Sequence, residues 1–368
     1  MGTIERVLCI VSSMDAGGAE TFLMKLYRNI DRDKYQMDFC VNNEKPGLYD
    51  DEIRKLGGKI YVIPCKSENF LKFKRNLADV VSKNGYKYVL RITSNGMGFW
   101  DLKIAKESGA VRCVARSSNS SDGNGMKVKI AHLLGRALYQ KYVDIKIAPS
   151  DLAARYTFGK KTYEKGLVYI LHNALDTELF KYSDEKRKQI RRELEIEEDT
   201  ILIGHIGRFT KQKNHDFLLQ IFAEILKKNN NALLMLVGDG ELKDSIRIKG
   251  CELGINDKIM YMGVRKDIPE ILAGMDVFVF PSLYEGMPNT VIEAQAAALP
   301  CIIADTITNE ANITGLVKYK SLNDSPREWA EETINAVSDR RKDVLSDFKN
   351  AGYEIGDVTR KFEQIIFH

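Results

Sequence analysis

Two pairs of charged residues in the second half of the chain have the types and spacing needed to bind a ligand. Arg208 and Lys213 lie in one polar turn, and Glu285 and Glu293 flank another turn with seven residues between them. An arginine binds a phosphate through two donors, a lysine adds a point charge, and carboxylates are strong acceptors for hydroxyl groups. The four side chains together suit a ligand with phosphates in the middle and hydroxyl groups at both ends, such as a nucleotide sugar.

The carboxylate pair is positioned by a predicted strand, turn and helix. The apolar run Val277–Phe280 is typical of a buried parallel strand, and the Ala-rich stretch 290–298 predicts a helix that ends before a proline. Ligands of open α/β sheets bind where strands end, and a helix start suits a phosphate. Glu285 then suits sugar hydroxyls, and Glu293, in the first turn of the helix, suits ribose hydroxyls. The alternative is a helix whose glutamates merely favour the positive end of its dipole.

The cation pair occupies the equivalent position after an earlier predicted strand. An apolar run at 200–206 predicts a strand, residues 215–228 predict a helix, and Arg208 and Lys213 lie in the turn between them. Both cations are therefore expected at the carboxyl end of a strand. Two cations in a polar loop also occur without any function. The Gly-Asp-Gly turn at 238–240 is a weak nucleotide motif when taken alone.

Strand and helix patterns alternate through the whole chain, which predicts an α/β protein with doubly wound parallel sheets. We expect an N-terminal domain over residues 1–180, a second domain over 181–350 and a C-terminal helix within 351–368. The charged segment 183–198 is the predicted hinge. In the first domain, the strand at 4–12 is followed by a small-residue loop with Gly17 and Gly18 and then by a predicted helix.

Composition and charge narrow the class of protein. A hydrophobic content of 44% and a charged content of 29% describe a globular chain without a transmembrane run or a visible secretory signal. The six scattered cysteines predict reduced core residues in the cytoplasm, and neither they nor the five histidines have metal-ligand spacing. Residues 1–180 carry a net charge of +9 and the rest a net charge of −5. The first domain is therefore expected to meet an anionic surface or acceptor.

Two predicted helices of the first domain, 69–83 and 127–141, combine cations with aromatic or aliphatic residues. Phe70 and Phe73 lie among the cations of the first, and Lys127 and Lys129 flank an aliphatic stretch in the second. Such helices can lie on an anionic membrane surface. The alternative is an ordinary amphipathic helix with a solvated basic face. No nucleic-acid partner is expected.

The longer motifs resemble glycosyltransferase family 4, which comprises retaining enzymes of the GT-B fold, and in particular bacterial capsule and exopolysaccharide transferases. The string Pro-Ser-x-x-Glu-Gly-x-Pro at 281–288, followed by Glu-Ala and Leu-Pro, resembles the donor motif of that family. Gly-Arg-x-x-x-x-Lys-Asn at 207–214 is similar to its diphosphate-binding turn, and the Gly-Gly loop is common in the family. The resemblance implies two Rossmann-like domains that face a cleft, with a C-terminal helix that returns to the first domain.

The resemblance also implies the residues of the site. It assigns catalytic roles to Glu285, Arg208, Lys213 and Arg116. It implies that the donor binds at Gly17, Gly18, Arg208, Lys213, Val264, Glu285, Gly286, Met287, Pro288, Asn289, Thr290 and Glu293. The co-substrate is a nucleotide sugar, with UDP favoured over GDP or ADP. No metal and no further cofactor are implied, because the cations and helix starts stabilise the leaving diphosphate.

One position departs from the family pattern. Many relatives carry a histidine in the turn after the strand that here ends near Arg116. An arginine can stabilise negative charge but cannot accept a proton. Either the histidine's role has shifted to Arg116, or the choice of donor and acceptor differs. The alternative is a salt-bridged surface arginine.

The function that the resemblance implies is retaining, metal-independent sugar transfer from a nucleotide diphosphate sugar to a lipid-linked or polysaccharide acceptor. The expected location is the cytoplasm, with peripheral attachment to the inner face of the membrane. Two other functions stay open at this stage. One is a nucleotide-sugar 2-epimerase, which shares the GT-B fold, and the other is a catalytically silent nucleotide-sugar-binding subunit.

Overall fold

A computed structural model describes residues 4–15, 17–118, 125–337 and 341–368, and the chain divides into two compact units. The first unit extends to Leu175 and also includes Gly352–His368, and the second comprises Asp176–Ala351. The sequence places the first boundary after residue 180. The structure places it after Leu175 because the short helix Thr177–Phe180 packs against helices of the second unit.

The first unit is built on a seven-stranded parallel sheet with the order β3-β2-β1-β4-β5-β6-β7. Its strands are β1 (Glu5–Ile10), β2 (Tyr35–Val41), β3 (Ile60–Val62), β4 (Tyr88–Thr93), β5 (Arg112–Ser117), β6 (Ile145–Ala148) and β7 (Tyr169–Ile170). Its helices are α1 (Gly18–Asn29), α2 (Asp50–Lys55), α3 (Phe70–Lys83), α4 (Phe99–Glu107), α5 (Met126–Tyr139), α6 (Asp151–Phe158), α7 (Lys160–Glu164) and, from the C-terminus, α16 (Ile355–Phe367).

Both faces of this sheet are covered, so a central strand such as β2 is buried along its whole length instead of on alternate residues. Alternate residues of β1 contribute to two cores, with Val7 in one and Leu8 in the other. Helix α16 packs on α1 and adds Phe362 and Ile366, both with 0% exposure, to the core that contains Val7. The C-terminal helix therefore returns to the first unit, as predicted.

The second unit contains a six-stranded parallel sheet with the order β10-β9-β8-β11-β12-β13. Its strands are β8 (Ile201–Ile206), β9 (Ala232–Val237), β10 (Ile259–Gly263), β11 (Val277–Phe280), β12 (Cys301–Ala304) and β13 (Val317–Lys320). Its helices are α8 (Thr177–Phe180), α9 (Asp184–Glu193), α10 (His215–Lys228), α11 (Lys243–Glu252), α12 (Ile268–Gly274), α13 (Asn289–Ala296), α14 (Pro326–Ala336) and α15 (Leu345–Asn350).

Residues 184–193 of the charged segment form helix α9, and the segment lies inside the second unit, so its interpretation as a hinge is wrong. Ser183 caps the helix by accepting a hydrogen bond from the backbone of Lys186 at 3.1 Å. Arg187 Nη2 lies 2.6 Å from Asp276 Oδ1 and fixes the helix to the second unit. The charged side chains of this segment thus hold the helix on the second unit.

The sequence analysis also misses β13, because a short strand with two lysines lacks a clear apolar pattern.

The predicted α/β class is confirmed. In each sheet the strand order reverses beside the first strand, between β1 and β4 and between β8 and β11.

Four cysteines are buried, but Cys65 is half-buried and Cys251 is exposed, so these two are not the core residues that the sequence predicts. Within the described ranges, no helix is both long and apolar enough to span a bilayer. The same residues contain no group of three or more His, Cys, Asp or Glu side chains arranged to hold a metal ion.

Candidate functional site

Four loops meet at the carboxyl edge of the second sheet. They follow β8, β9, β10 and β11, and backbone hydrogen bonds connect them. Phe209 N donates to Asp239 O at 2.9 Å, and Gly238 N donates to Gly263 O at 2.8 Å. This is the edge where ligands of doubly wound sheets bind.

The cation turn after β8 and the carboxylate turn after β11 are joined by side chains and backbone. Lys213 Nζ donates to Glu285 Oε1 at 2.6 Å, and both side chains are largely buried. Leu283 N donates to Gln212 O at 2.9 Å, and Asn214 Nδ2 donates to Pro281 O at 3.1 Å. Two residues that the sequence singles out from different motifs are therefore in direct contact.

Arg208 lies in the same turn but is exposed. Its side chain forms no hydrogen bond or ion pair with any residue that the structure describes. Since a guanidinium group has five donors, the group is free to bind an anion in two-point fashion. Lys213, by contrast, is held by Glu285 and lies 4.5 Å above the ring of Phe280.

The close approach of these loops requires glycine at one position in particular. Gly238 has a φ of +137°, and a Cβ there would lie 2.1 Å from Gly207 O. Nearby, Asn214 takes the left-handed conformation with a φ of 56° and ends the cation turn before α10. Val264, the predicted base-binding position, is 78% exposed in the loop after β10.

Helix α13 starts at Asn289, directly after the carboxylate turn. Its N-cap is Pro288, whose side chain makes no capping hydrogen bond. Two hydroxyl groups beside the turn, Ser282 Oγ and Thr290 Oγ1, are buried and have no hydrogen-bond partner among the described residues. Because buried polar groups are normally paired, these hydroxyls and the helix start are candidate donors to an anion. Ser282 is a site candidate that the sequence analysis did not single out.

Glu293 is the fifth residue of α13, because the helix begins at Asn289, one residue before the predicted start. Its side chain is partly exposed. Gly286 and Met287 are also partly exposed in the carboxylate turn, while Pro288 is buried. The predicted residues of the second unit therefore all lie on the loops at this edge or on the first two turns of α13.

Two buried histidines lie beneath Lys213. The rings of His205 and His215 are 4.7 Å apart, and His205 Nδ1 contacts Val279 O at 2.9 Å. Burial lowers the pKa of both groups, and the nearby Lys213 ammonium lowers the pKa of His215 further, to about 4. Both rings are therefore neutral at pH 7. The sequence analysis assigned them no role, and a histidine just before and just after a motif is the only signal that could have found them.

The remaining predicted residues belong to the first unit. Gly17 is the N-cap of α1, and Gly18 is its first residue, so the helix already begins within the predicted small-residue loop. A Cβ at Gly17 would lie 2.2 Å from Glu20 Oε2. The small residue therefore leaves space for the Glu20 side chain at the start of the helix.

Arg116 is 2% exposed in β5, so the alternative of a salt-bridged surface arginine is wrong. Its Nη2 donates to Asn173 Oδ1 at 2.7 Å, and its guanidinium carbon lies 3.6 Å from the ring centroid of Phe22. No carboxylate of the described residues pairs with it. Burial lowers the pKa of Arg116 to about 9. The structure thus shows a desolvated cation stacked on an aromatic ring.

Comparisons with known proteins identify the family and the fold. The family model described as "Glycosyl transferases group 1" matches residues 200–339. The chain is 34% identical over 358 residues to the putative glycosyltransferase EpsF of Bacillus subtilis (strain 168). The matched region covers 95% of this chain and 93% of that protein. It is 25% identical over 375 residues to the capsular polysaccharide biosynthesis glycosyltransferase CapH of Staphylococcus aureus, covering 98% of each. The crystal structure of Alr3699/HepE from Anabaena in complex with UDP matches with a TM-score of 0.71 and 16% identity over 99% of this chain and 96% of that chain.

The chain therefore belongs to the group 1 glycosyltransferases. The predicted GT-B fold and the resemblance to bacterial capsule and exopolysaccharide glycosyltransferases are both confirmed. The prediction that the chain is a sugar-transferring enzyme is confirmed as well. The roles of the individual site residues stay predictions.

Proposed function

We propose that this enzyme is a retaining transferase of family 4 that moves a sugar from a UDP-sugar to a lipid-linked or polysaccharide acceptor. The product would enter a capsular or exopolysaccharide pathway. The UDP named with the Anabaena structure and the capsular role named for the Staphylococcus relative support this assignment. Family membership alone leaves the donor, the acceptor and the stereochemistry open, so the proposal depends on the site.

The observation that carries the proposal is the 2.6 Å contact between Lys213 Nζ and Glu285 Oε1. It unites an anion-binding turn with a hydroxyl-binding turn beside the start of α13. An ammonium group has three donors, so Lys213 can hold Glu285 and still donate to a phosphate oxygen. Arg208 supplies a second, exposed cation.

Each group then has a separate task. Arg208, Lys213 and the first turn of α13 bind the diphosphate, and Glu285 accepts hydrogen bonds from the sugar hydroxyls. Glu293, one turn further along α13, accepts from the ribose hydroxyls, and the backbone near Val264 binds the base. A nucleotide sugar presents these groups in the same order, with phosphates between two hydroxyl-bearing rings.

In the proposed reaction, the bond between the anomeric carbon and the terminal phosphate oxygen breaks. The acceptor oxygen forms a bond to the same carbon from the same face, so the configuration is retained. The nucleotide diphosphate leaves with the bonding electron pair, and the acceptor proton moves to its terminal phosphate. Arg208, Lys213 and the helix start stabilise the developing charge, which is electrostatic catalysis without a metal ion. Glu285 positions the donor and does not act as a nucleophile.

The exposed surface of helix α5 supports the proposal that the acceptor is bound to a membrane. Only His132 and Gly135 of this helix are buried, and His132 Nδ1 accepts a hydrogen bond from Gly96 N at 2.9 Å. Six apolar side chains are each at least 42% exposed: Met126, Val128, Ile130, Leu133, Leu134 and Leu138. Lys127 and Lys129 are exposed beside them. An exposed apolar face with adjacent cations suits insertion into an anionic bilayer surface, and α3 adds Leu71 at 76% exposure.

The test is to incubate the chain with UDP-, GDP- and ADP-sugars and to measure the release of nucleotide diphosphate without acceptor. Slow release from UDP-sugars alone is expected. NMR of the product formed on an acceptor alcohol should show the anomeric configuration of the donor. Formation of an epimer without release would identify a 2-epimerase, and binding without either reaction would identify a silent subunit. An inverted product would overturn the retaining mechanism.

A further inference from the structure

His205 lies near the carboxyl end of β8, beneath the cation turn, and has no part in the reaction described above. Its side chain is completely buried, and burial lowers its pKa, so the ring is neutral at pH 7. Nδ1 lies 2.9 Å from Val279 O. Because a carbonyl oxygen can only accept, Nδ1 carries the proton of the neutral ring and Nε2 carries a lone pair. Nε2 is buried and has no hydrogen-bond partner among the described residues, so it is an unused acceptor.

This acceptor lies beside the side chain of Lys213. A Cβ placed on Gly207 would lie 3.2 Å from His205 Nε2 and also 3.2 Å from Lys213 Cε. The two atoms therefore approach the same point, and the absence of a side chain at Gly207 leaves nothing between them there. The charge of Lys213 also lowers the pKa of His205, an effect that requires a nearby cation.

The remaining surroundings of the His205 ring are mostly aromatic. The rings of Phe278 and Phe280 stack on it, with centroids 6.2 and 5.4 Å away, and the ring of His215 meets it edge-on at 4.7 Å. Lys213 and His215 are the titratable groups that act on it. A phenylalanine would fill the same space without an unpaired nitrogen, and an unpaired buried acceptor costs free energy. The histidine is therefore expected to find a donor in some state of the enzyme.

Lys213 can supply that donor. Its Nζ donates to Glu285 Oε1 at 2.6 Å, and an ammonium group has two further donors. In the proposed function, Glu285 accepts hydrogen bonds from the donor sugar, which weakens its hold on Lys213. Both side chains are largely buried, so the ammonium then needs another acceptor within the site.

We propose that His205 is a positioning residue whose Nε2 accepts a hydrogen bond from Lys213 when the donor sugar engages Glu285. The contact keeps the ammonium facing the diphosphate while the carboxylate turns to the sugar hydroxyls. The inference rests on the proposed function, because it specifies how Lys213 is held during sugar transfer. His205 itself touches no substrate and moves no proton.

The first test uses ¹⁵N NMR of the full-length chain with labelled histidines. The Nε2 signal of a neutral ring moves to lower frequency when its lone pair accepts a hydrogen bond, and the five histidines can be assigned with single variants. Glu285→Ala removes the carboxylate partner of Lys213, so the Nε2 signal of His205 should move to lower frequency. It should return when Lys213→Met is added. A signal that stays in place, or a change at His215 instead, would overturn the proposal.

The second test compares donor and product binding in variants of His205. His205→Phe keeps an aromatic ring in the stack but has no acceptor at this position. Because a charge-assisted hydrogen bond is lost, the KM for the cleaved UDP-sugar should rise about tenfold or more. Inhibition by UDP should be unchanged, since UDP has no sugar to engage Glu285. His205→Gln, whose amide oxygen can accept, should restore the lower KM.

The two proposals fail in different ways. The NMR measurement on Glu285→Ala needs no nucleotide sugar and tests the contact between His205 and Lys213 alone. If that signal moves and no nucleotide sugar is cleaved, the contact exists and the proposed transferase activity fails. If nucleotide sugars are cleaved but His205→Phe weakens UDP and the UDP-sugar equally, His205 only supports the fold, and the assignment of His205 alone is wrong.

Discussion

The ammonium group of Lys213 has two tasks in the proposed site. It holds the Glu285 carboxylate at 2.6 Å and faces the diphosphate with its remaining donors. Arg208 differs because its side chain is exposed and has no side-chain partner among the described residues. Removing Lys213 would therefore also release Glu285, whereas removing Arg208 tests anion binding alone.

Arg208→Ala is expected to lower the release of nucleotide diphosphate from the preferred donor roughly tenfold or more. It removes charge-assisted hydrogen bonds that are each worth about 1.5–3 kcal/mol. Steady-state kinetics of donor hydrolysis measures the effect. Lys211→Ala removes an exposed cation from the same turn and should leave the kinetics unchanged. Equal rates for Arg208→Ala and the unmodified enzyme would contradict the role in diphosphate binding.

The pH dependence of stability is expected to reflect His215. Its pKa in the folded chain is about 4, below the ordinary value of 6.5, so the unfolded chain binds the proton first as the pH falls. The stability that His215 contributes is complete above pH 6.5 and is lost between pH 6.5 and 4. Its loss amounts to roughly 3 kcal/mol, since the shift from 6.5 to about 4 counts about 1.36 kcal/mol per pKa unit.

Urea unfolding of the enzyme and of His215→Leu between pH 7 and 4 measures this contribution. Other groups titrate in both proteins, and the pKa of His205 depends on His215, so the difference between the two curves reports on this histidine pair. The free energy of unfolding should fall less steeply in the variant. Parallel curves would mean that His215 does not stay neutral in the fold.

At the scale of elements, α5 is unusual because only His132 and Gly135 of this helix are buried against the rest of the first unit. A Cβ at Gly135 would lie 2.5 Å from the backbone of Gly96, so only glycine allows the helix to lie this close. Most of the remaining helix surface is exposed and apolar. A helix of this kind is expected to have a second partner, which we propose is the membrane surface.

The double variant Ile130→Glu and Leu134→Glu is expected to reduce binding to vesicles with anionic lipids at least tenfold. The two side chains lie one helical turn apart, and each carboxylate opposes both burial in lipid and attraction to anionic headgroups. Vesicle sedimentation measures the effect. Ile248→Glu changes a similarly exposed side chain of the second unit and should bind as the unmodified enzyme does. Equal retention by anionic and neutral vesicles would contradict the electrostatic part of the proposal.

At the scale of the whole molecule, the end of the chain completes the unit in which the chain begins. Residues 352–368 belong to the first unit although the entire second unit separates them in sequence. Arg112 Nη1 donates to Ile366 O at 3.0 Å, and the rings of Tyr35 and Phe367 stack 4.3 Å apart. The first unit is therefore expected to lose stability when α16 is disturbed.

Phe362→Ala is expected to destabilise the first unit by about 3–5 kcal/mol, because the side chain is fully buried and leaves a cavity. Each unit contains one tryptophan, Trp100 in the first and Trp329 in the second. In a Trp329→Phe background, tryptophan fluorescence during urea unfolding therefore reports on the first unit. Lys361→Ala, on the exposed side of the same helix, should change stability by less than about 0.5 kcal/mol. If both variants unfold alike, α16 does not contribute to this core.

The sequence determined the elements and the motifs because their signals are local. The apolar run of β11, the turn after it and the start of α13 are adjacent in the chain, and short-range patterns identify them. The positions of Arg208 and Lys213 at the end of β8 follow in the same way. Where local signals conflicted, the prediction was wrong. The charges of α9 suggested a hinge although they hold the helix on the second unit.

The tertiary structure alone decided which side chains meet. Lys213 and Glu285 are 72 residues apart, and their contact depends on the strand order that places β8 beside β11. Arg116 is predicted from a family pattern, but only the folded structure shows that its guanidinium is buried on the ring of Phe22. Lys66, Arg91 and Asp101 belong to no motif and converge through long-range packing. Such contacts depend on the order of the strands in the sheet and on the packing of distant segments, which no local pattern expresses.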